Sequence, residues 1–255
     1  IHPGLAARDA FTSVAFTANG FEGPTAPIAG ELGFLQAYAN DPRPARATEA
    51  LGERFEAAHT KIKPYPIGTF AHVPISLLID LATEQELVPA TIEGIDIELP
   101  TSGAEMFGRE PTHTHPTGSN EAQFDMPFAV ALAVTERQVD IRTFNEAVNG
   151  SYNNEFTQIM NATETIGSDE LESYLPELYP ARVRVQTSDA TYERFREWVS
   201  GEPTHPLSWG ELTNKFTTLT PSLEEDTQRT VIEQVKTIEA QALSDVLASF
   251  RSTDI

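Results

Sequence analysis

Apolar positions recur along this chain in two periods, and the period separates its helices from its strands. Spacings of three and four dominate residues 1–58, where Gly and Pro cut the pattern into pieces. They predict a first helix to about Asn19, a turn from Gly20 to Pro27, a short helix around Leu32 to Tyr38, and another helix from Thr48 to Ala58. Lys61 to Pro66 reads as an extended entry to an apolar helix from about Pro74 to Glu86, with Leu77, Leu78 and Leu81 on one face and Ile75 and Ile79 beside it. A period of two follows, in which Ile95, Ile97 and Leu99 form one face of a strand. Thr101 to Ser119 reads as an exposed loop, and Asn120 to Thr135 as a helix of small apolar residues.

Helical spacing returns at Ile141 to Val148 and Tyr152 to Ala162. Val183 and Val185 then alternate in a second strand, Ser188 to Ala190 turns the chain, and Tyr192 to Val199 reads as the hairpin partner. This order of mixed elements predicts an α+β fold. Near the end, Ser208-Trp209-Gly210-Glu211 and Ser222-Leu223-Glu224-Glu225 both fit the capping box, in which Ser and Glu satisfy each other's backbone donors. A long helix to about Phe250 is predicted after them, with Val231, Val235, Ile238, Ala242, Val246 and Phe250 in one stripe flanked by Ile232, Leu243 and Leu247. Such a stripe needs a partner surface, which the helices of residues 1–58 are expected to supply. The chain also begins inside a helical pattern (Leu5, Ala6, Ala10, Val14), so a preceding segment is expected.

Composition narrows the function classes. No stretch approaches the roughly 18 to 20 apolar residues that span a bilayer, and no basic-then-apolar signal opens the chain, so a cytoplasmic protein is expected. With no cysteine, disulfides, thiolate nucleophiles and Cys-based metal sites are excluded. The net charge of −21 comes from 38 acidic against 17 basic residues, only four of them lysines: Lys61, Lys63, Lys215 and Lys236. Nucleic acid and anionic membranes are therefore not expected as partners, because both require a basic face. An acidic surface with scarce Lys also suits a salt-rich cytoplasm, since about 1 M salt screens its self-repulsion over about 3 Å. An ordinary acidic protein is the plainer alternative.

Few residues carry candidate chemistry. Lys61 and Lys63 lie two apart, and in an extended segment they share a face. In so acidic a chain they form a candidate anion site, although taken alone they read as two solvated surface lysines. His72 stands where the apolar helix begins, and helix N-termini favour bound carboxylates. It is a candidate acid or base, or equally a buried histidine satisfied by a backbone carbonyl. His113 and His115 have chelating spacing, but no carboxylate cluster or third His stands near them, so no metal is expected. Nucleophile-elbow, phosphate-loop and dinucleotide-binding motifs are absent.

An ordered run of six motifs then resembles one family. His2-Pro3-Gly4, Gly20-Phe21-Glu22-Gly23-Pro24 and Gly30-Glu31-Leu32-Gly33-Phe34 are followed by Lys63-Pro64-Tyr65-Pro66 with His72. Asn120 to Ala131, and Gly201-Glu202-Pro203 through Pro206-Leu207 to Lys215-Phe216, complete the set. Together they resemble the carboxy-terminal portion of the MmgE/PrpD (2-methylcitrate dehydratase) family. The resemblance implies residues 1–58 as part of a helical domain, 59–218 as an α+β lid domain, and 219–255 as a helix returning to the helical domain. It implies a lyase acting on 2-methylcitrate or a related small polycarboxylate, with cis-aconitate decarboxylation close behind and no cofactor. An epimerase or isomerase of a small dicarboxylate, or a non-catalytic binding relative, is the alternative. Lys63 and His72 are the implied catalytic residues, and His2, Lys61 and Phe128 the implied substrate-binding ones. Phe128 departs from the family, which often has an aromatic hydroxyl there. A homodimer is the expected assembly, and the C-terminal stripe could pack within one chain or between two.

Overall fold

The computed structural model describes residues 2–107, 115–150, 152–242 and 244. The chain divides into two compact units, residues 1–58 and 59–255. In the first, α1 (His2–Ala18) and α2 (Phe34–Tyr38) are the α-helices, and α1 buries none of its residues. The helix expected over Thr48 to Ala58 does not form. Turns over residues 49–53 and a 3-10 segment, Glu56–His59, take its place, after an earlier 3-10 segment at Pro44–Ala47. Ala50 and Gly52 both adopt positive φ, 51° and 85°, a left-handed conformation that a right-handed helix cannot contain.

The second unit is α+β, as its mixed periods predict. It runs through α3 (His72–Glu84), β1 (Ile92–Pro100), α4 (Thr101–Phe107), α5 (Ser119–Ala122), α6 (Met126–Glu136), α7 (Ile141–Asn149) and α8 (Asn154–Asn161). There follow β2 (Thr163–Ser168), α9 (Asp169–Glu172), β3 (Ala181–Thr187), β4 (Thr191–Arg196), α10 (Trp209–Leu219) and α11 (Glu225–Lys236). The sheet order is β2-β1-β3-β4. β1 is parallel to β2 and antiparallel to β3, with Ile97 opposite Val183, and β3 and β4 form the expected hairpin. Alternation explains the layering. Ile95, Ile97, Leu99, Val183 and Val185 are fully buried, whereas Asp96, Glu98, Arg182 and Arg184 occupy the opposite face. An Arg182–Glu98 ion pair crosses that face between β3 and β1.

α3 and α6 pack on each other, α3 lying against β3 and β4 and α6 against β2 and α8. α6 buries Met126 and every residue from Phe128 to Val134, so it is an interior helix without a polar stripe. Burying each large side chain of this core contributes about 1.5 to 3 kcal/mol.

Several sequence expectations are corrected. The expected loop from Thr101 begins instead as α4, which continues directly from β1. The single helix expected over Asn120 to Thr135 is two, because Asp125 leaves the helical region and caps α6 by accepting from Phe128 N, with Pro127 in the first turn. β2 was missed, since its sequence TETIGS has no apolar alternation and its residues are at most half-buried. The capping box at Ser208 forms, but Glu224 caps α11 without a side-chain bond, so the one at Ser222 does not. α11 ends at Lys236, where Thr237 turns to φ −114° and ψ 18°, and a 3-10 turn follows at Ile238–Ala240. Leu243, Val246, Leu247 and Phe250 of the expected stripe lie outside the described residues.

Candidate active site

Three sequence-distant segments of residues 59–255 meet at the candidate site. The extended run from Lys61 is pinned at Ile62, whose N–H donates to the Gly201 carbonyl at 2.9 Å, while Gly201 N donates to the His205 carbonyl at 2.8 Å. Only glycine fits here. Gly201 has φ +103°, and a Cβ would lie 2.1 Å from the Ile62 carbonyl oxygen. Thr69–Ala71 then makes a 3-10 turn into α3, so His72 enters at the helix start. Lys61, Lys63, Thr69, His72, Ser200 and Glu202 border a crevice of about 60 Å³. A space of that size admits a small anionic group such as one carboxylate.

His72 is 3% exposed, and its Nε2 lies 3.0 Å from the Ile67 carbonyl oxygen. A carbonyl only accepts, so Nε2 carries the proton and Nδ1 the lone pair. Lys63 Nζ donates to the same Ile67 oxygen at 3.1 Å. Burial pushes the His72 pKa from 6.5 down to about 4; the bond to Ile67 opposes this, and the charges of Lys63, Lys215 and Lys61 add to it. His72 is therefore neutral at pH 7. Tyr65 stands edge-on to its ring at 5.8 Å, and burial raises the phenol's own pKa.

Lys61 is engaged differently from Lys63. Its Nζ pairs with Glu202 at 2.8 Å, donates to the Glu177 carbonyl at 3.3 Å, and lies 3.9 Å over the Tyr179 ring. Glu202 is 4% exposed, so its buried carboxylate is balanced by that ammonium. Phe128 belongs to the core. It is fully buried against Phe144, Tyr152 and Phe156, at ring distances of 5.7, 6.1 and 5.6 Å, and does not border the crevice. His2 is the exposed first residue of α1, in the other unit. His113 lies outside the described residues, and His115 bonds Thr157 Oγ1 at 3.0 Å. Among the described residues no group of three or more His, Cys, Asp or Glu could hold a metal.

Two residues escaped the sequence reading as site residues. Lys215 of α10 donates to the Lys63 carbonyl at 2.7 Å, and Glu202 holds Lys61. Both stand in the closing motif, and the scarcity of lysine was a further signal for Lys215, whereas no local spacing marked Glu202 as the partner of Lys61.

Comparison with known protein families gives one match. The sequence profile of the MmgE/PrpD C-terminal domain matches residues 65–240. No curated protein matches the chain significantly. The match covers most of the chain, including Tyr65, His72, Gly201, Glu202 and Lys215. The chain thus belongs to the MmgE/PrpD family, a family of dehydratase and lyase type.

Proposed function

We propose that this protein is a lyase that dehydrates 2-methylcitrate or a related small polycarboxylate, with Lys63 binding a substrate carboxylate and His72 moving the proton. One observation carries the reading: three of the four lysines of a chain with net charge −21 gather around a buried, neutral histidine. Elsewhere such a surface repels anions, so this crevice is where a carboxylate gains a charge-assisted bond.

Lys63 Nζ has three donors and spends one on Ile67, so it can take a carboxylate. Its positive charge stabilises the electron density that develops when the adjacent carbon loses its proton. The Nδ1 lone pair of His72 is the candidate base. A pKa of about 4 suits it poorly while the site is empty, but a bound carboxylate is an opposite charge that raises it toward neutrality. In the elimination, the C–H electron pair becomes the new C=C bond as the C–O bond on the next carbon breaks. The departing hydroxide takes up the proton that His72 Nδ1 removed, directly or through solvent, which yields water and returns His72 to its neutral form.

A second reading draws on the same crevice. Among the described residues that border it, His72 is the single imidazole and the Glu202 carboxylate is occupied by Lys61, so they offer no second imidazole and no unpaired carboxyl to protonate a leaving hydroxyl. An epimerase removes and returns one proton without a leaving group, which this set could also support.

The test is to incubate the full-length protein at high salt with 2-methylcitrate, citrate and cis-aconitate, following absorbance of the conjugated product. Turnover that collapses in Lys63→Ala supports the lyase. Hydrogen–deuterium exchange at substrate carbon without elimination supports the epimerase, and neither outcome in a folded protein rejects both.

A further inference from the structure

α10 ties the two walls of the crevice together through one of its faces. Glu211 and Lys215 are four residues apart, so their side chains leave the helix on the same side. Glu211 accepts from Ser208 N and Ser208 Oγ, both at 2.7 Å, closing the capping box. Its other oxygen accepts from Ser200 Oγ at 3.2 Å, on the wall that carries Gly201 and Glu202. One turn later Lys215 Nζ donates to the Lys63 carbonyl at 2.7 Å, on the opposite wall and 152 positions away in sequence. The helix is thus registered against one wall by Glu211 and holds the other by Lys215.

That second contact bears on Lys63. The residue is exposed at the end of an extended run whose N–H anchor lies one position earlier, at Ile62. A long Lys side chain on an unanchored backbone spreads over many rotamers. With its carbonyl fixed by Lys215 and its ammonium resting on Ile67, the side chain is confined beside the His72 ring. A surface lysine with no such task gains little by giving a donor to a backbone carbonyl. This chain uses one of only four.

We propose that Lys215 is a positioning residue of the site: it holds the Lys63 backbone so that the Lys63 ammonium is preorganised for a carboxylate beside His72. The proposal rests on the reading of Lys63 as the carboxylate ligand, and its test separates the two.

The experiment compares Lys215→Met, Lys215→Gln and Lys215→Arg in the full chain, with folding checked by circular dichroism. Two readouts are taken: calorimetric affinity for citrate, and the His72 ring ¹⁵N resonances at neutral pH, which report how completely the Ile67 carbonyl imposes the Nε2–H tautomer. Lys215→Met is expected to weaken citrate about tenfold and to mix the tautomers, because the 63–67 segment is released. Lys215→Arg keeps the charge and the donor and is expected to restore both. Lys215→Gln keeps one neutral donor and is expected to hold the tautomer while losing part of the affinity, and it serves as the deciding variant if Lys215→Met does not fold. Unchanged tautomer and affinity in a folded Lys215→Met, or in the deciding Lys215→Gln an unchanged affinity, overturns the proposal. If the unmodified protein binds no citrate, the polycarboxylate reading falls, and the tautomer comparison alone decides Lys215.

Discussion

At the scale of residues, His72 sets the pH behaviour. Its folded pKa is about 4, below the 6.5 of an unfolded imidazole. As pH falls through 6.5 the unfolded chain takes up a proton that the folded chain refuses, so stability is lost between pH 6.5 and 4. The loss from this group approaches about 3 kcal/mol. Urea unfolding at pH 7 and pH 5 is expected to show the drop, and His72→Gln, which keeps a donor for Ile67, is expected to show less of it. Activity follows the same sign. Protonated His72 cannot act as base, so the acid limb of kcat/KM is expected at about pH 4. A limb at the pKa of free imidazole would contradict the burial described here.

The sequence disclosed these residues unevenly. Lys63 and His72 stood out because lysine is rare in this chain and because His72 opens an apolar helix. The engagement of Lys61 by Glu202 was hidden, since a 141-residue separation leaves no local spacing to read. The surroundings of Phe128 were hidden too, because position in a motif says nothing about which neighbours cover a ring; α7 and α8 supply Phe144 and Phe156 from later in the chain.

At the scale of elements, strong periodicity was legible and weak periodicity was not. β1, β3 and the hairpin to β4 show clean alternation, and α3 a clear apolar face. β2 has neither, and it forms because the edge of β1 supplies its hydrogen bonds. Local chemistry decides the helix ends. Asp125 and Ser208 start α6 and α10, and replacing Ser208 by Ala is expected to cost about 1 kcal/mol in thermal or urea unfolding. The Gly201 turn is less tolerant. Gly201→Ala meets both a positive φ and the Ile62 carbonyl, and is expected to cost about 2 kcal/mol or more while weakening citrate binding, because it parts the walls of the crevice. Unaltered stability in that variant would mean that the two segments do not approach as described.

At the scale of the whole molecule, charge is the dominant fact. With a net −21, self-repulsion opposes folding wherever salt does not screen it. The unfolding temperature is expected to climb as KCl rises from about 0.1 M to about 1 M, with most of the gain at the low end where the screening length shortens fastest. A flat response would remove the case for adaptation to salt. The same charge makes the cationic crevice stand out, and the account depends on that contrast. Whether a substrate carboxylate binds at Lys63 beside His72 is decided by a crystal structure of the protein with bound cis-aconitate. The account expects a carboxylate oxygen within hydrogen-bond distance of Lys63 Nζ and next to the His72 ring, with Lys61 still on Glu202. A ligand bound elsewhere while Lys63 stays on Ile67 would contradict it.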